Sequence, residues 1–367
     1  MSSKIVLFGA TGYTGELTAR AMVARGLKPV LAARSRARVE ALAKELGGLE
    51  AHVADVAAPA SLDTLLHEGD VLVTTVGPFM RWGSAALDAA IRRRAHYLDS
   101  TGEGPFIRDV FEKATRRAEP VGIALLPAMG YDFVPGNLAG ALALERAGSR
   151  ARSVEVGYFW QGAGGAGGMS GGTRASAAGV LFDSSFAWKN GAIRRERGAK
   201  NVRSFNVDGR EIQGISIGGT EHYALPELDP QLQQVGVYLG WFGPMTRPLQ
   251  VVAAGNAAIT KVPGVKQALT AGMGKLVKGS TGGPDEAARE KTRSVIVATV
   301  FDEAGVRLSS VQLVGPNGYD LTAAFLAWGA ERAANGQLHG KGAMGPVEAF
   351  GLEELTAAAA EYGLVEV

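Results

Sequence analysis

The sequence predicts an α/β protein whose first domain is a doubly wound parallel sheet and whose second domain is α+β with a mixed or antiparallel sheet. Three observations support this fold class. Short, continuous apolar runs alternate with helical patterns over the first third of the 367 residues. A glycine-rich turn separates the first apolar run from the first helical pattern. After about residue 130, candidate strands instead follow each other through short turns such as "VDGR" and "DEAG".

The first domain is predicted from apolar runs that lack strict alternation of polar and apolar residues. Such strands are buried on both faces, which is typical of a parallel sheet covered by helices. The strands are expected at Ile5–Phe8, Pro29–Ala33, Glu50–Val53, Val71–Val76, His96–Ser100 and Gly122–Leu126. The helices between them are expected at Gly15–Arg25, Ala37–Leu46, Pro59–Leu66, Ser84–Arg93 and Ile107–Glu119.

The second domain is predicted from strands that follow each other closely enough to form antiparallel hairpins. Its strands are expected at Val154–Trp160, Val202–Val207, Glu211–Ile217, Gln234–Trp241, Arg293–Phe301 and Arg307–Val314. Its helices are expected at Ala175–Lys189, Pro248–Ile259, Val265–Val277 and Leu321–Ala334. A tail helix at Val347–Tyr362 is expected to pack on the first domain. The first predicted domain consists of residues 1–130 and is completed by residues 336–367. The second, at 131–335, is predicted to bind substrate or to form an oligomer interface.

Composition and charge exclude several classes of function. The net charge of +2 provides no basic field for nucleic acid. The chain has no cysteine, which excludes disulfides, thiol nucleophiles and cysteine-ligated metals. Its five histidines lack the spacing of a metal site. The N-terminal pattern predicts no signal peptide, and no run of ~20 apolar residues indicates a membrane span, so we expect a cytoplasmic protein.

The turn "FGATGYTG" after the first predicted strand is typical of a Rossmann-type dinucleotide site. Gly9 permits the tight turn, Gly12 lets the backbone approach a diphosphate, and Gly15 brings the following helix against the sheet. The helix N-terminus then faces the anion. The residues between the glycines, Thr11, Tyr13 and Thr14, belong to the same expected cofactor site. A tight turn without a ligand is the alternative.

The end of the second predicted strand indicates which dinucleotide binds. NAD sites usually place an acidic residue there to bind the ribose 2′-hydroxyl. This chain has Arg34, nineteen positions after Gly15, and no carboxylate nearby. Arg34 is suited to a 2′-phosphate, with Ser35 as a hydroxyl donor and Arg38 as a second charge. We therefore expect NADP(H), with a purely structural Arg34 as the alternative.

Two further loops are expected to lie along the cofactor, because they follow the next strands at the same sheet edge. In "ADV", Asp55 is expected to contact the adenine amino group, and Val56 the ring. The loop "TTVGPF" is expected to follow the nicotinamide ribose. Its cofactor residues are Val76, Gly77, Pro78 and Phe79. Both loops have the alternative of being ordinary turns.

Motifs along most of the chain resemble those of a known family. They are "GATGYTG", "VGPF", "HYLDSTGE", "GYDFVPGNLAG", "SGGTRAS" and "GPNGYDLTA". They are similar to the saccharopine dehydrogenase-like oxidoreductases, in the branch with bacterial trans-acting enoyl reductases. The resemblance implies NADP-dependent hydride transfer and a second domain that covers the nicotinamide. It places Ser100, Thr101, Gly130, Tyr131 and Asp132 around the nicotinamide end.

The catalytic candidates are Tyr131, Asp132 and Thr173. Asp132 also suits a helix N-cap, and Thr173 in "SGGT" either caps a helix or binds a substrate carbonyl oxygen. No tyrosine is followed by lysine four residues later, which argues against carbonyl reduction by the short-chain dehydrogenase mechanism. Metal catalysis has no support in the sequence.

The function expected from these features is an NADPH-dependent reductase that acts on the enoyl or imine double bond of an apolar or acyl substrate. One alternative is an amino-acid dehydrogenase resembling saccharopine reductase. Another is a non-catalytic NADP(H)-binding redox sensor. The expected partner is a small molecule, with no nucleic acid and no integral membrane segment. The apolar stretch Val235–Met245 indicates core packing, with an acyl pocket or a homodimer face as alternatives.

Overall fold

The computed structural model describes residues 3–162, 184–259 and 282–367, and these divide into two compact units. Unit 1 consists of Met1–Gly102, Phe106–Val134 and Asn317–Tyr362, and unit 2 of Glu103–Pro105, Pro135–Pro316 and Gly363–Val367. Each unit has its own sheet, so each is described separately.

Unit 1 contains a seven-stranded parallel sheet. Its strands are β1 (Ile5–Phe8), β2 (Val30–Ala33), β3 (Ala51–Val53), β4 (Val71–Thr74), β5 (His96–Asp99), β6 (Ala124–Leu126) and β15 (Gly342–Ala343). Their order is β15-β6-β5-β4-β1-β2-β3, and each neighbouring pair is parallel. The chain leaves β1 towards β2 on one side and returns at β4 on the other. Dinucleotides bind at such a reversal of strand order.

The helices of unit 1 cover this sheet, as the continuous apolar strands require. They are α1 (Tyr13–Ala24), α2 (Arg36–Glu45), α3 (Ala60–Asp63), α4 (Phe79–Arg93), α5 (Gly104–Asp109, in unit 1 from Phe106), α6 (Thr115–Ala118), α11 (Gly318–Ala334), α12 (Pro346–Phe350) and α13 (Leu352–Glu361). A π-helical turn at Val110–Ala114 joins α5 to α6. Strands β1, β2 and β4 are buried along their whole length. The predicted doubly wound domain is confirmed.

Unit 2 contains a mixed nine-stranded sheet within the described ranges. Its strands are β7 (Ser153–Gly162), β8 (Ser184–Lys189), β9 (Ala192–Arg197), β10 (Val202–Val207), β11 (Arg210–Ser216), β12 (Gln234–Leu239), β13 (Thr292–Phe301), β14 (Arg307–Gly315) and β16 (Val365–Glu366). The main path is β10-β11-β12-β7-β13-β14-β16, and the β8–β9 hairpin pairs with β12. Only the β12–β7 pair is parallel in this part of the chain. The predicted α+β second domain is confirmed.

The helices assigned to unit 2 are short, apart from two. They are α7 (Val134–Ala147, in unit 2 from Pro135), α8 (Glu221–Leu228), α9 (Thr246–Ile259) and α10 (Glu286–Glu290). The predicted helix at Val265–Val277 lies outside the described residues.

One predicted helix is wrong where the structure describes it. Residues 184–189, the end of the predicted helix Ala175–Lys189, form strand β8, and residues 175–183 lie outside the described ranges. Asn190 and Gly191 have φ values of 52° and 68° and connect β8 to β9. An Asn-Gly pair with two positive φ angles is the preferred tight turn of a β-hairpin. This turn signal outweighs the helical spacing of the apolar residues before it.

The structure draws the domain boundaries at residues other than the predicted ones. Helix α11, expected in the second domain, belongs to unit 1, where it packs against α1, β1, β4 and β5. Most of its side chains are buried, which a helix lying on a sheet requires. The tail is also divided, because Gly363–Val367 belongs to unit 2 and β16 pairs with β14 there.

Candidate functional site

The glycine turn after β1 packs too closely for side chains at two of its three glycines. Gly9 has a φ of 89°, and a Cβ there would lie 2.8 Å from Thr75 Oγ1. A Cβ on Gly15 would lie only 2.1 Å from the Gly9 carbonyl oxygen. At Gly12 the nearest atom to such a Cβ is that same oxygen, at 3.3 Å. Gly9 and Gly15 are therefore required by the packing of the protein itself, whereas at Gly12 the described residues make one tight contact that a small shift can relieve.

The N-terminus of α1 has the form of an anion site. Gly12 is its N-cap and provides no side chain to bind the first N–H groups. The Gly12 N–H itself donates to the Gly9 carbonyl oxygen at 2.9 Å, which closes the turn. Thr11, Tyr13 and Thr14 are partly exposed around this terminus. Unsatisfied N–H groups and the helix dipole favour a negative group there, so these residues fit the diphosphate of a dinucleotide.

The arginine-rich turn after β2 lies next to the glycine turn. Ser35 is the N-cap of α2, and its Oγ accepts a hydrogen bond from the Arg38 backbone N–H at 3.4 Å. The Arg38 guanidinium reaches back to the loop, where Nη2 donates to the Thr11 carbonyl oxygen at 2.6 Å. Arg34 is exposed and has no carboxylate partner among the described residues. It remains available for a 2′-phosphate.

The loop after β3 is a hydrogen-bonded turn. Asp55 Oδ1 accepts a hydrogen bond from the Ala57 backbone N–H at 2.9 Å, and the Asp55 N–H donates to Ser61 Oγ at 3.1 Å. Val56 is partly buried against the apolar core of unit 1. The turn expected as an alternative is therefore present, and binding of adenine by Asp55 and Val56 stays a prediction.

The loop after β4 contains core residues as well as exposed backbone. The Gly77–Pro78 peptide is cis, and Pro78 is the exposed N-cap of α4. Phe79 is buried, with its ring centroid 5.6 Å from that of Phe106. Val76 also packs against the core. The side chain of Phe79 thus belongs to the core. The residues of this loop that remain accessible to a cofactor are Gly77 and Pro78.

Asp99, which the sequence analysis did not single out, connects the loops after β5 and β6. Its Oδ1 accepts hydrogen bonds from the backbone N–H groups of Thr101 and Ala128, each at 2.8 Å. Asp99 and Thr101 are fully buried, and Ser100 is partly exposed between them. The sequence signal for this role is an acidic residue at the last position of a buried strand. Buried charges are kept only where they are hydrogen-bonded, so such a residue is expected to bind nearby N–H groups.

The predicted catalytic segment follows β6. The Tyr131 backbone N–H donates to Thr322 Oγ1 at 3.0 Å, and a Cβ on Gly130 would lie 2.8 Å from Thr322 Cγ2. Tyr131 itself is buried. The segment is therefore held against α11 by the side chain of Thr322.

Asp132 is the titratable group of this segment. Its Oδ1 is buried and has no hydrogen-bond partner in the described part of the chain, so this oxygen does not cap a helix. An ideal Cβ on Gly102, in the loop after β5, would lie 3.5 Å from Asp132 Oδ2. Burial raises the pKa of Asp132 to about 7. A carboxyl with that pKa can hold a proton, and release it, near neutral pH.

Three other expectations concern Thr173, a metal site and a membrane-spanning helix. Thr173, the third catalytic candidate, lies outside the described residues. Across the described ranges no group of three or more acidic or histidine side chains is arranged to hold a metal ion. None of the helices in those ranges combines the length and apolar character needed to span a bilayer.

The fold and the site together define a class of protein. A parallel sheet with a glycine turn after β1 and a bare helix N-terminus is that of a Rossmann-type dinucleotide-binding protein. Residues 5–125 match the family described as the saccharopine dehydrogenase NADP-binding domain. This match covers about a third of the chain, and NADP(H) is the cofactor of the matched domain. The resemblance of the sequence motifs and the cofactor prediction are confirmed.

Relatives and solved structures extend the comparison. A trans-acting enoyl reductase of Mycobacterium ulcerans is 35% identical over 141 residues, which cover 37% of this chain and 34% of that protein. The chain thus matches about a third of the length of this curated relative. Apo saccharopine dehydrogenase (L-Glu forming) from Saccharomyces cerevisiae has a TM-score of 0.59 at 14% identity, covering 100% of this chain and 99% of that one.

A second solved structure has a similar fold. The homospermidine synthase of Legionella pneumophila, in complex with NAD, has a TM-score of 0.63 at 11% identity and covers 100% of this chain and 92% of that one. Both structural likenesses extend to the second domain. At these identities they describe the fold alone.

Proposed function

We propose that the protein is an NADP-dependent oxidoreductase that reduces the enoyl or imine double bond of an apolar or acyl substrate. The observation that carries the proposal is Asp132, a buried carboxyl with a pKa of about 7 on the loop after β6. This loop leaves the same sheet edge as the glycine turn after β1, because all the strands between them are parallel. The relatives named trans-acting enoyl reductase support the same reaction class.

The residues have separate tasks in this proposal. The glycine turn and the N-terminus of α1 hold the diphosphate, and Arg34 binds the 2′-phosphate. NADPH, when bound, supplies a hydride. Reduction of a carbon–carbon or carbon–nitrogen double bond also consumes one proton. Protonated Asp132 delivers that proton. Asp99 holds the loop after β6, which contains Asp132, next to the loop after β5, because its carboxyl accepts hydrogen bonds from both loops.

Thr173 has a separate task in this proposal. Thr173, on the segment "SGGT", is proposed from the sequence alone to bind the substrate carbonyl oxygen and to stabilise negative charge that develops on it. A homodimer and a cytoplasmic location belong to the same proposal. Sedimentation of the purified protein and fractionation of the source cells test those two expectations.

The experiment measures oxidation of NADPH by the purified protein with enoyl thioesters and cyclic imines, and reduction of NADP⁺ with a panel of amino acids. Parent protein, Asp132→Asn and the control Asp88→Asn are compared. Asp88 lies on the surface of unit 1 in an ion pair with Arg117 of 2.7 Å. We expect turnover of an enoyl or imine compound, unchanged in Asp88→Asn and reduced ~10²–10⁴-fold in Asp132→Asn, since general acid catalysis contributes about that much.

Other results contradict the proposal. Turnover of amino acids with NADP⁺ and of nothing else makes the protein an amino-acid dehydrogenase. Tight binding of NADPH without oxidation by any compound favours the redox sensor. Full activity of Asp132→Asn with an enoyl compound leaves the reductase in place and removes Asp132 from its mechanism.

A further inference from the structure

We propose that Arg108 forms an anion-binding subsite that holds a carboxylate or phosphate group of the substrate. This inference rests on the proposed reductase function and adds a chemical requirement to its substrate. Arg108 lies on α5, and its Nε and Nη1 atoms are buried without a hydrogen-bond partner among the described residues. No part of the reduction chemistry described above uses this side chain.

Two guanidinium nitrogens of Arg108 are thus buried without a partner in the described part of the chain, although the residue as a whole is half-buried, and such an arrangement is energetically unfavourable. Arginine stays charged at every working pH, and removal of a charge from water costs several kcal/mol unless an anion compensates for it. Other arginines of unit 1 have such partners: Arg25 pairs with Glu331 at 2.7 Å, and Arg117 with Asp88 at 2.7 Å. The partner of Arg108 is therefore expected to come from a bound molecule.

Helix α5 begins at the sheet edge that carries the loop after β6, because β5 and β6 are parallel neighbours. The helix begins five residues after the end of β5, behind the loop that contains Ser100 and Thr101. Side chains of an α-helix lean towards its N-terminus, so Arg108 is displaced towards that loop and not away from it. Phe106 and Val110, before and after Arg108, are buried in the core of unit 1 and hold the segment in place.

Asp132, whose Oδ1 is also buried at this sheet edge, does not neutralise Arg108. Burial is the cause of the raised pKa of Asp132, with no lowering contribution from a nearby cation. A guanidinium in contact with Asp132 would lower that pKa. Unit 1 therefore presents a protonatable acid on the loop after β6 and a separate permanent cation after β5.

This pair of groups specifies the ligand chemistry. The planar guanidinium offers N–H groups that match two oxygens of one carboxylate or phosphate. A substrate that satisfies Arg108 carries such a group apart from the bond that Asp132 protonates. The expected substrate is thus an unsaturated acid, or an acyl or imine compound that carries a phosphate. It is not an uncharged hydrocarbon.

The test measures anion binding independently of turnover. Parent protein, Arg108→Met, Arg108→Lys and the control Arg116→Met are saturated with NADP⁺ and titrated with crotonate or with inorganic phosphate at constant ionic strength. Arg116 is an exposed arginine a little further along the same segment. Thermal denaturation gives the melting temperature at each concentration, because a ligand of the native state raises it in a saturable way.

We expect a saturable rise for the parent protein and Arg116→Met with at least one probe, and an apparent Kd at least tenfold higher for Arg108→Met. Without an anion, Arg108→Met should melt at or above the temperature of the parent protein, since the variant no longer buries two guanidinium nitrogens without a hydrogen-bond partner. Arg108→Lys should bind more weakly than the parent protein and more tightly than Arg108→Met. Crotonate and phosphate separate the carboxylate from the phosphate source.

The inference is overturned if the parent protein and both Arg108 variants give the same titration curves, or if no anion stabilises the parent protein. It is also overturned if Arg108→Met melts well below the parent protein and Arg108→Lys binds the anion like the parent, since Arg108 is then a packing residue. Failure of the reductase proposal is seen separately, as a lack of turnover in a protein whose anion binding still depends on Arg108.

Discussion

The Nη2 atom of Arg38 donates a hydrogen bond to the carbonyl oxygen of Thr11 at 2.6 Å. This contact joins the first turn of α2 to the loop between β1 and α1, and so connects the two segments expected to bind opposite ends of the adenosine diphosphate moiety. Arg36, two residues earlier, instead pairs with Glu40 of its own helix at 3.2 Å. The chain therefore offers a matched pair of surface arginines that differ in this one contact.

Replacement of Arg38 by methionine should weaken binding of NADPH. The substitution removes the hydrogen bond that holds the Thr11 carbonyl, so the loop must be ordered by the cofactor itself. A hydrogen bond to a charged group contributes ~1.5–3 kcal/mol, and less at an exposed site, so we expect a roughly three- to tenfold higher Kd by calorimetry. Arg36→Met is the control and should bind like the parent protein. Equal affinities of all three proteins would show that the contact does not organise the loop.

Replacement of Arg34 by aspartate should change the choice of cofactor. Arg34 is an exposed cation at the end of β2 that pairs with no carboxylate of the described residues, and NAD-binding proteins carry an acid at this position. Loss of a charge-assisted hydrogen bond to the 2′-phosphate is worth ~1.5–3 kcal/mol, so the ratio of NADPH to NADH affinity should fall about ten- to hundredfold. The measurement is fluorescence titration with both cofactors, with Arg36→Asp as a control for net charge. A parent protein that binds NADPH and NADH equally well contradicts the assignment.

Two glycines of the same turn should respond differently to substitution. Gly15→Ala places a Cβ 2.1 Å from the Gly9 carbonyl oxygen, so it should lower the melting temperature. Gly12→Val has more room, with 3.3 Å to its nearest atom, and should melt near the parent temperature while losing NADPH affinity. Calorimetry and thermal denaturation of the two variants separate stability from binding. Full NADPH affinity in a folded Gly12→Val protein would place the diphosphate elsewhere.

The sequence was sufficient for the features that depend on neighbouring residues. The buried strands β1, β2 and β4 are continuous apolar runs, and the turn at Gly9 and Gly15 is fixed by backbone contacts a few residues apart. Both signals are local, so they are visible in one short window. The parallel order of the sheet then follows from the alternation of strands and helices.

Features that depend on distant parts of the chain were not predictable in the same way. Asp99 bonds to Ala128, 29 positions later, and no pattern around Asp99 indicates that partner. Helix α11 belongs to unit 1 because of what it packs against, although it follows the strands of unit 2 in the sequence. Arg108 resembles any surface arginine until the burial of its Nε and Nη1 atoms is seen. In each case tertiary packing decides, and packing is not encoded in one local window.

Asp132→Asn should make the protein less sensitive to rising pH. The folded-state pKa of Asp132 is about 7, whereas an unfolded chain has the ordinary value of 3.8. Between these two values the native state holds a proton that the unfolded state releases, so the free energy of unfolding falls as the pH rises from about 4 to about 7. Above about pH 7 this loss of unfolding free energy stays constant. Asparagine does not ionise and therefore avoids it.

The free energy of unfolding of Asp132→Asn minus that of the parent protein should thus increase between about pH 4 and 7. Its slope is at most about 1.4 kcal/mol per pH unit, which is the free energy of one pKa unit. Urea denaturation at half-unit intervals from pH 4.5 to 8 measures this difference, with Asp88→Asn as the control. Asp88→Asn should show no such growth, because exposed ion pairs contribute little. A flat difference for Asp132→Asn would mean that its carboxyl is not desolvated, and a difference that shrinks with pH would mean that the native protein stabilises the carboxylate.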